Sequence, residues 1–278
     1  MKVFPYVFPH VNLRSDVDKQ MYTDHDSERM VLTVKPVQLN PKTLEAFDAY
    51  IHNAETEMER SLHGSGSFLW SQQIPERAHL VDQGQVVAQF WSGEGPVRVP
   101  NGLIHDWIAA GFIRDSTIQE LLAVMQQYDK HKDTYKPEVM DSKLISRHGN
   151  DFQVYLRLLK KKIITVVLDT DHDVHYRPVG RTRWVCHSYT TRIAEVESAG
   201  SRSERILQPD TGYGFLWRLS SYWRFEECDA GAVIECRAIS LTRDVPFGLG
   251  WAIEPIIQKL PKESLINTLE ATRRALHT

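Results

Sequence analysis

Four side chains that could bind a metal ion alternate along one stretch of the chain: Asp169, Asp171, Asp173 and His175. On a β-strand such alternation places all four on one face. Carboxylates and an imidazole so arranged could hold a divalent cation, but the same spacing describes an acidic strand face turned to water. The solvated face is the reading adopted, and no metal ion is expected. His172 and His175 have ligand-like spacing, yet positions three apart on a strand point to opposite faces. His105 and Asp106 are neighbours and face apart for the same reason. His131 falls near the end of a predicted helix, where an imidazolium would meet the negative end of the helix dipole. As a general acid or base it would need a partner within hydrogen-bond reach.

Other motifs exclude more than they suggest. Cys186, Cys228 and Cys236 are odd in number and lack C-x-x-C spacing, which rules out a zinc ribbon and argues against a disulfide framework; they read as small core residues. Ser65, in His-Gly-Ser-Gly-Ser, lacks the order of a nucleophile elbow and follows a helix rather than a strand. Gly93-Glu94-Gly95-Pro96 is a turn without the helix and lysine of a phosphate loop. Lys160-Lys161-Lys162 could touch anionic headgroups, but a solvated turn or a lysine-protected edge is the preferred reading. No catalytic residue is identified and no cofactor is expected.

Aromatic residues are the more informative set. Trp107, Tyr155, Trp184, Tyr189, Trp217, Trp223 and Phe225 are the candidates for lining an apolar pocket, against the alternative of a filled core. One hairpin can be argued in detail. If 214–228 pairs with 232–243 so that facing positions add to 461, Phe225 meets Cys236, Trp223 meets Ala238 and Ser221 meets Ser240. One face then carries Trp217, Leu219, Trp223 and Phe225 beside Ile234, Cys236 and Ala238, with large residues opposing small ones. The other carries Arg218, Arg224, Glu226, Glu235, Arg237 and Arg243, expected as a solvated surface with diagonal ion pairs. Arg157, Arg218 and Arg237 all point away from the apolar faces and are expected in surface ion pairs.

The elements that would position these residues are legible from periodicity. Asn40-Pro41 opens a helix over 41–62, and Gly64-Ser65-Gly66-Ser67 ends it. Val86–Trp91 and Leu103–Ile113 read as strands. Ser116-Thr117-Ile118-Gln119 suggests a capping box opening a helix to about Lys132. Strands follow over about 139–147, 151–160, 163–177, 182–196, 214–228 and 232–243, with connections short enough for antiparallel neighbours and a longer polar loop over 198–213. Trp251 to Leu276 is a helix interrupted at Pro261. The expected organisation is a poorly ordered leader over 1–40, an extension of one helix and short strands over 41–101, and a main domain over 102–278.

Totals bound the function. The chain has 278 residues, 42% hydrophobic and 25% charged, with net charge −3 and a pI near 6.5. That balance argues against a nucleic-acid binder. No run approaches the length of a membrane span. The N-terminus starts like a signal peptide, but Pro5 and Pro9 break the apolar run and no cleavage site follows. The cytoplasm is therefore the expected location, with Met21 and Met30 as alternative starts.

The order strand, helix, antiparallel strands, long C-terminal helix resembles the START-like superfamily, also called helix-grip or SRPBCC. The residues that carry the resemblance are Gly102–Ile113, Tyr128-Asp129-Lys130-His131-Lys132, Phe152–Tyr176, Gly214–Thr242 and the helix from Trp251. The second short helix usual after the first is not evident, and Tyr135-Lys136-Pro137 stands in its place. The resemblance implies an α+β helix-grip fold: a curved antiparallel sheet wrapped around the last helix, here with an N-terminal helical extension. It also implies a cavity for a hydrophobic small molecule such as a lipid. Binding or transfer is the leading function. The alternatives are an enzyme of the polyketide cyclase, aromatase or hydrolase type, with His105, Tyr155, Tyr189 or Tyr222 converging on one ligand position, and a protein-interaction module with a solid core. In the resembling fold, the junction carrying Phe247, Gly248, Leu249, Gly250 and Trp251 lies beside the cavity mouth. The functional reading is a gate, or a tip that touches a membrane transiently, which admits ligand; the alternative is a tight turn whose Phe247 and Trp251 are simply buried.

Overall fold

The computed structural model describes residues 36–161, 165–244 and 250–277, and in the last stretch the side chains from residue 261 onward. Most of the leader, Lys162, and Phe247, Gly248 and Leu249 of the expected gate lie outside the described residues, as does the side chain of Trp251.

Among the described residues, twelve strands and five α-helices follow one another. The strands are β1 (Val37–Gln38), β2 (Val87–Phe90), β3 (Val97–Val99), β4 (Gly102–Arg114), β5 (Val139–His148), β6 (Asp151–Lys161), β7 (Thr165–Pro178), β8 (Arg183–Glu197), β9 (Arg205–Ile206), β10 (Thr211–Gly212), β11 (Arg218–Cys228) and β12 (Gly231–Arg243). The helices are α1 (Pro41–His63), α2 (Pro75–Asp82), α3 (Ile118–Met125), α4 (His131–Thr134) and α5 (Gly250–Leu276).

One antiparallel sheet dominates, in the order β2-β4-β12-β11-β8-β7-β6-β5, with β3 also paired to β4 and β9 to β8. Its inner face packs on α3 and α5: Trp107, Ala109, Ile113, Phe152, Val154, Tyr176, Cys186, Phe225, Ile234 and Cys236 share a cluster with Ile118, Leu121, Leu122, Leu265 and Leu269. The outer face of β4 and β12 is covered too. Ile108, Ala110, Phe112 and Val233 meet Phe68, Leu69, Trp70 and Val81, while Ile104, Ile239 and Leu241 meet Phe47 and Ala54 of α1. This two-sided burial explains why β4 reads as an unbroken apolar run, with every residue but Arg114 buried.

The β11–β12 hairpin keeps the expected faces but shifts register by two. Trp223 faces Cys236 and Phe225 faces Ile234, so facing positions add to 459. A shift of two leaves every side chain on its own face. The loop contracts to Asp229-Ala230, the two-residue length that best matches strand twist. Gly231 makes this closure feasible: at φ +145, a Cβ there would lie 2.1 Å from the Ile113 carbonyl oxygen of β4.

Other elements differ from the sequence reading for identifiable reasons. The N-cap of α3 is Thr117, boxed with Glu120, one residue later than expected. That helix stops at Met125; a 3-10 turn over Tyr128–Lys130 and then α4 follow, so a second short helix is present after all. Helix α5 runs through Pro261 without a break. Proline deletes one backbone donor there, and burial of Leu265, Leu269, Ala271 and Thr272 anchors the turns that follow. Within the expected leader, Val37–Gln38 pairs with Thr211–Gly212 of the polar loop.

The outer face of the hairpin is covered rather than solvated. Glu235 is 2% exposed and Arg237 4%. The Glu235 carboxylate accepts the backbone N–H groups of Trp70 and Ser71 at 2.9 and 2.7 Å, and burial holds its pKa above the usual carboxylate range. Arg224 donates to the carbonyl of Met58 and the Ser61 hydroxyl of α1. Arg237 forms a buried ion pair with Asp106, which corrects the surface expectation for that residue. Arg218–Asp210 (2.6 Å) lies nearer the expected setting, while in Arg157–Asp169 (2.7 Å) the guanidinium is half-buried and the carboxylate buried.

Candidate functional site: the helix-facing side of the sheet

Strand registers arrange the inner face in rows. One row runs Trp107–Ala238–Ser221–Ser188–Val174–Phe152 across six strands. Its ends are large and its middle is small. On one side lies the row Ala109–Cys236–Trp223–Cys186–Tyr176. On the other, His105 faces Ser240, Ser240 faces Leu219, and His172 faces Thr190 and Val154. Thr190 is tied to the Leu219 backbone at 3.0 Å.

Small side chains in the centre of a large sheet leave space unless the opposing helix fills it. Leu219, Ser221, Trp223, Ser188 and Ala238 are all half-buried, although they sit on central strands on the helix-facing side of the sheet. The neighbouring inner residues Phe225, Ile234, Cys236 and Cys186 are buried against α3 and the second half of α5. The inner face therefore divides into a packed end beside α3 and a looser centre.

Several polar groups lie on the inner face or on the helices packed against it, and burial keeps the three histidines among them neutral. His105 donates or accepts at 3.0 Å with the Thr242 hydroxyl, and burial pushes its pKa down to about 4. His172 bonds Thr170 Oγ1 at 2.9 Å and is likewise pushed down to about 4 by burial, with His131 adding to the effect. His131 bonds the Met125 carbonyl at 3.0 Å and is also pushed to about 4 by burial. It begins α4 as a neutral ring closing the end of α3, not as the helix-terminal cation expected. The Tyr128 and Tyr176 hydroxyls meet at 3.0 Å, and Tyr135 reaches Thr272 of α5 at 3.1 Å. Lys160 is not a solvated turn residue. It pairs with Glu138 and bonds Ser264 of α5, while Asn267 of α5 donates to the same glutamate.

The predicted pocket residues separate into two groups. Trp107, Trp184, Trp223 and Phe225 lie on the inner face, with Trp223 and Phe225 stacked at 6.2 Å and 3°. Tyr155 lies on the opposite face, its hydroxyl donating to Asp169 at 2.8 Å, and Tyr189 is 43% exposed beside Asp173. Trp217 belongs to the cluster under α1. The chain bends before it at Gly214 (φ +77), where a Cβ would meet the Trp217 ring at 2.9 Å, so Trp217 does not follow the alternation of β11. Tyr222 also faces outward, donating to Glu55. The convergence of His105, Tyr155, Tyr189 and Tyr222 needed for the enzyme reading is therefore not formed. The acidic ladder is paired residue by residue: Asp169 with Arg157, Asp171 with Arg192, Asp173 with Tyr189, and His175 with Asp151.

Sequence reasoning placed Ala238 on this face but missed the other small and polar residues at its centre: Ser188, Ser221, Ser240 and His172. A signal was available, since Ser221 occupies an inward position on a strand whose other inward positions are Leu219, Trp223 and Phe225.

No family model matches the chain, and no curated protein matches it. Solved structures do. A STAR-related lipid transfer protein from Xanthomonas axonopodis aligns at 11% identity and TM-score 0.47, over 66% of this chain and 98% of that one. The Zhui aromatase/cyclase from Streptomyces sp. R1128 aligns at 10% identity and TM-score 0.41, over 63% and 94%. A START superfamily protein from Mycobacterium smegmatis aligns at 8% identity and TM-score 0.41, over 63% and 97%. These likenesses are faint, and the fold rests on this chain's own strand order and register. Among the described residues no helix is long and apolar enough to cross a membrane. With β4, two short helices, six antiparallel strands that neighbour one another in the sheet (β5, β6, β7, β8, β11 and β12) and α5 laid across their inner face, the chain has an α+β helix-grip fold.

Proposed function

We propose that this chain binds a hydrophobic small molecule between the inner face of its sheet and the first half of α5. The observation that carries the reading is the row Ala238–Ser221–Ser188, three small, half-buried side chains at the middle of the sheet, between Trp107 and Trp223. A solid core would place branched or aromatic residues there, as the same strands do two rows away, where Phe225 faces Ile234. Tryptophan and leucine around a hollow suit an apolar ligand, while the serines leave room and offer hydroxyls.

The test is native mass spectrometry of the purified protein, followed by solvent extraction. An apolar compound at one per chain supports the reading and identifies the ligand class. A protein that carries nothing and fails to enhance the fluorescence of N-phenyl-1-naphthylamine, a neutral probe of apolar pockets, removes it.

A further inference from the structure

Two polar atoms on the helix-facing side of β4 have no partner among the described residues: Nδ1 of His105 and Nε1 of Trp107. Both are shielded from solvent, and their residues are 0% and 5% exposed. They lie two positions apart, so they share a face. Trp107 heads the row of small residues, and His105 heads the next. Buried polar atoms are nearly always satisfied, and two orphans side by side call for an explanation.

Their neighbours fix what each atom needs. The Thr242 hydroxyl donates to the Arg243 carbonyl at 3.3 Å, which uses its single hydrogen. The 3.0 Å contact between His105 Nε2 and Thr242 Oγ1 is then made with the imidazole as donor. Burial keeps the ring neutral near pH 7, so the proton on Nε2 leaves Nδ1 as a bare acceptor. Trp107 Nε1 is a donor only. One acceptor and one donor on the same face are complementary to a group that both donates and accepts. A hydroxyl does so; a carboxylate or ether oxygen only accepts and would leave Nδ1 unpaired.

We propose that His105 and Trp107 form the polar end of the pocket and receive the hydroxyl of a neutral alcohol or phenol, whose apolar body lies along Ala238, Ser221 and Ser188. The alcohol donates to Nδ1 of His105 and accepts from Nε1 of Trp107. This assignment rests on the pocket proposed above. The competing chemistry comes from Lys262 of α5, whose Nζ lies 6.0 Å from the centre of the Trp107 ring and would favour an acid.

The experiment is displacement of N-phenyl-1-naphthylamine at pH 7.5 by 1-decanol, decyl methyl ether and decanoate, three heads on one chain length. Decanol is expected to compete at least tenfold better than the ether and than decanoate. That advantage is expected to fall below threefold in Trp107→Phe, which keeps a ring but loses the donor, and in His105→Phe. Equal competition by decanol and its ether overturns the proposal and leaves the pocket standing; an ordered water satisfying both atoms gives this result. A decanoate advantage lost in Lys262→Met overturns it in favour of an acid head. Failure of the probe to bind at all removes the pocket and this assignment together. The wild-type comparison decides the question even if a variant fails to fold.

Discussion

Arg237 and Asp106 meet diagonally across the β12–β4 ladder, on the face turned away from α5. Nη2 lies 2.7 Å from Oδ2, and each side chain is 5% exposed. The Tyr50 hydroxyl of α1 donates to the same carboxylate at 2.8 Å, and the Trp91 ring lies 4.0 Å from the guanidinium carbon. A buried pair with its partners in place is near neutral in free energy, but a buried charge stripped of its partner is not. Asp106→Ala is therefore expected to cost about 3–5 kcal/mol in urea unfolding, and the double replacement Asp106→Leu with Arg237→Met to recover most of that. A single replacement costing under about 1 kcal/mol would show that the guanidinium reaches water instead.

The same pair bears on how the chain divides. Residues 36–101 supply Tyr50, Glu57 and Trp91 around Arg237, the apolar cover of Ile104, Ile108 and Phe112, and strands β2 and β3. A fragment starting at residue 102 would expose all of these, and large exposed apolar patches on a sheet invite association. The full chain is expected to unfold in one transition by circular dichroism and tryptophan fluorescence, and the fragment 102–278 to aggregate. A monomeric, cooperatively folding fragment would instead support the independent main domain read from sequence.

Where local pattern and tertiary contact agree, the sequence was legible. The order of elements from 102 onward, the two faces of the β11–β12 hairpin and the inward placement of Trp223 and Phe225 follow from a period of two and from turn residues. Register was not legible to within two residues, because a slip of two leaves every face intact and only the loop length, closed by Gly231, tells the two registers apart. The outer face of β12 misled for a different reason. Arg224, Glu235 and Arg237 have the composition of a solvated surface, and only α1 and the Phe68–Ser71 segment, far away in sequence, turn them into buried partners. His131 was misjudged because α3 ends at Met125, about seven residues before the end near Lys132 that the sequence suggested, and His131 instead opens α4.

Three buried histidines tie stability to pH. Burial pushes His105, His131 and His172 down to about 4 in the folded protein, while in the unfolded chain they titrate near 6.5. Between these values the unfolded state binds protons that the native state does not. Stability is thus fully present above about pH 6.5 and is lost as pH falls toward 4, by up to about 1.4 kcal/mol per pH unit for each ring. The urea midpoint is expected to fall steadily from pH 7 to pH 5, a window above the titration of unfolded carboxylates. His172→Gln is expected to reduce that slope by about one proton's worth. A midpoint that does not change over this range would mean the rings become protonated without unfolding.

Ser221 offers the sharpest test of a hollow centre. It faces Ala238 on one side and Ser188 on the other, so no large side chain adjoins it along its row until Trp107 and Val174. If the space opposite is open, Ser221→Leu adds apolar volume without a clash. Filling a cavity in this way commonly stabilises by about 0.5–2 kcal/mol. If α5 already fills the space, the same change overpacks the core at a cost of about 1–3 kcal/mol. The expected result is an unchanged or raised melting temperature together with at least a tenfold loss of N-phenyl-1-naphthylamine binding. The paired readout matters because either half alone has a second cause: a destabilised variant loses the probe by unfolding, and a stabilised one that keeps it has left the binding space elsewhere. Stability retained and probe lost, in one variant, places the ligand against β11; a fall in melting temperature with the probe still bound places it off that row.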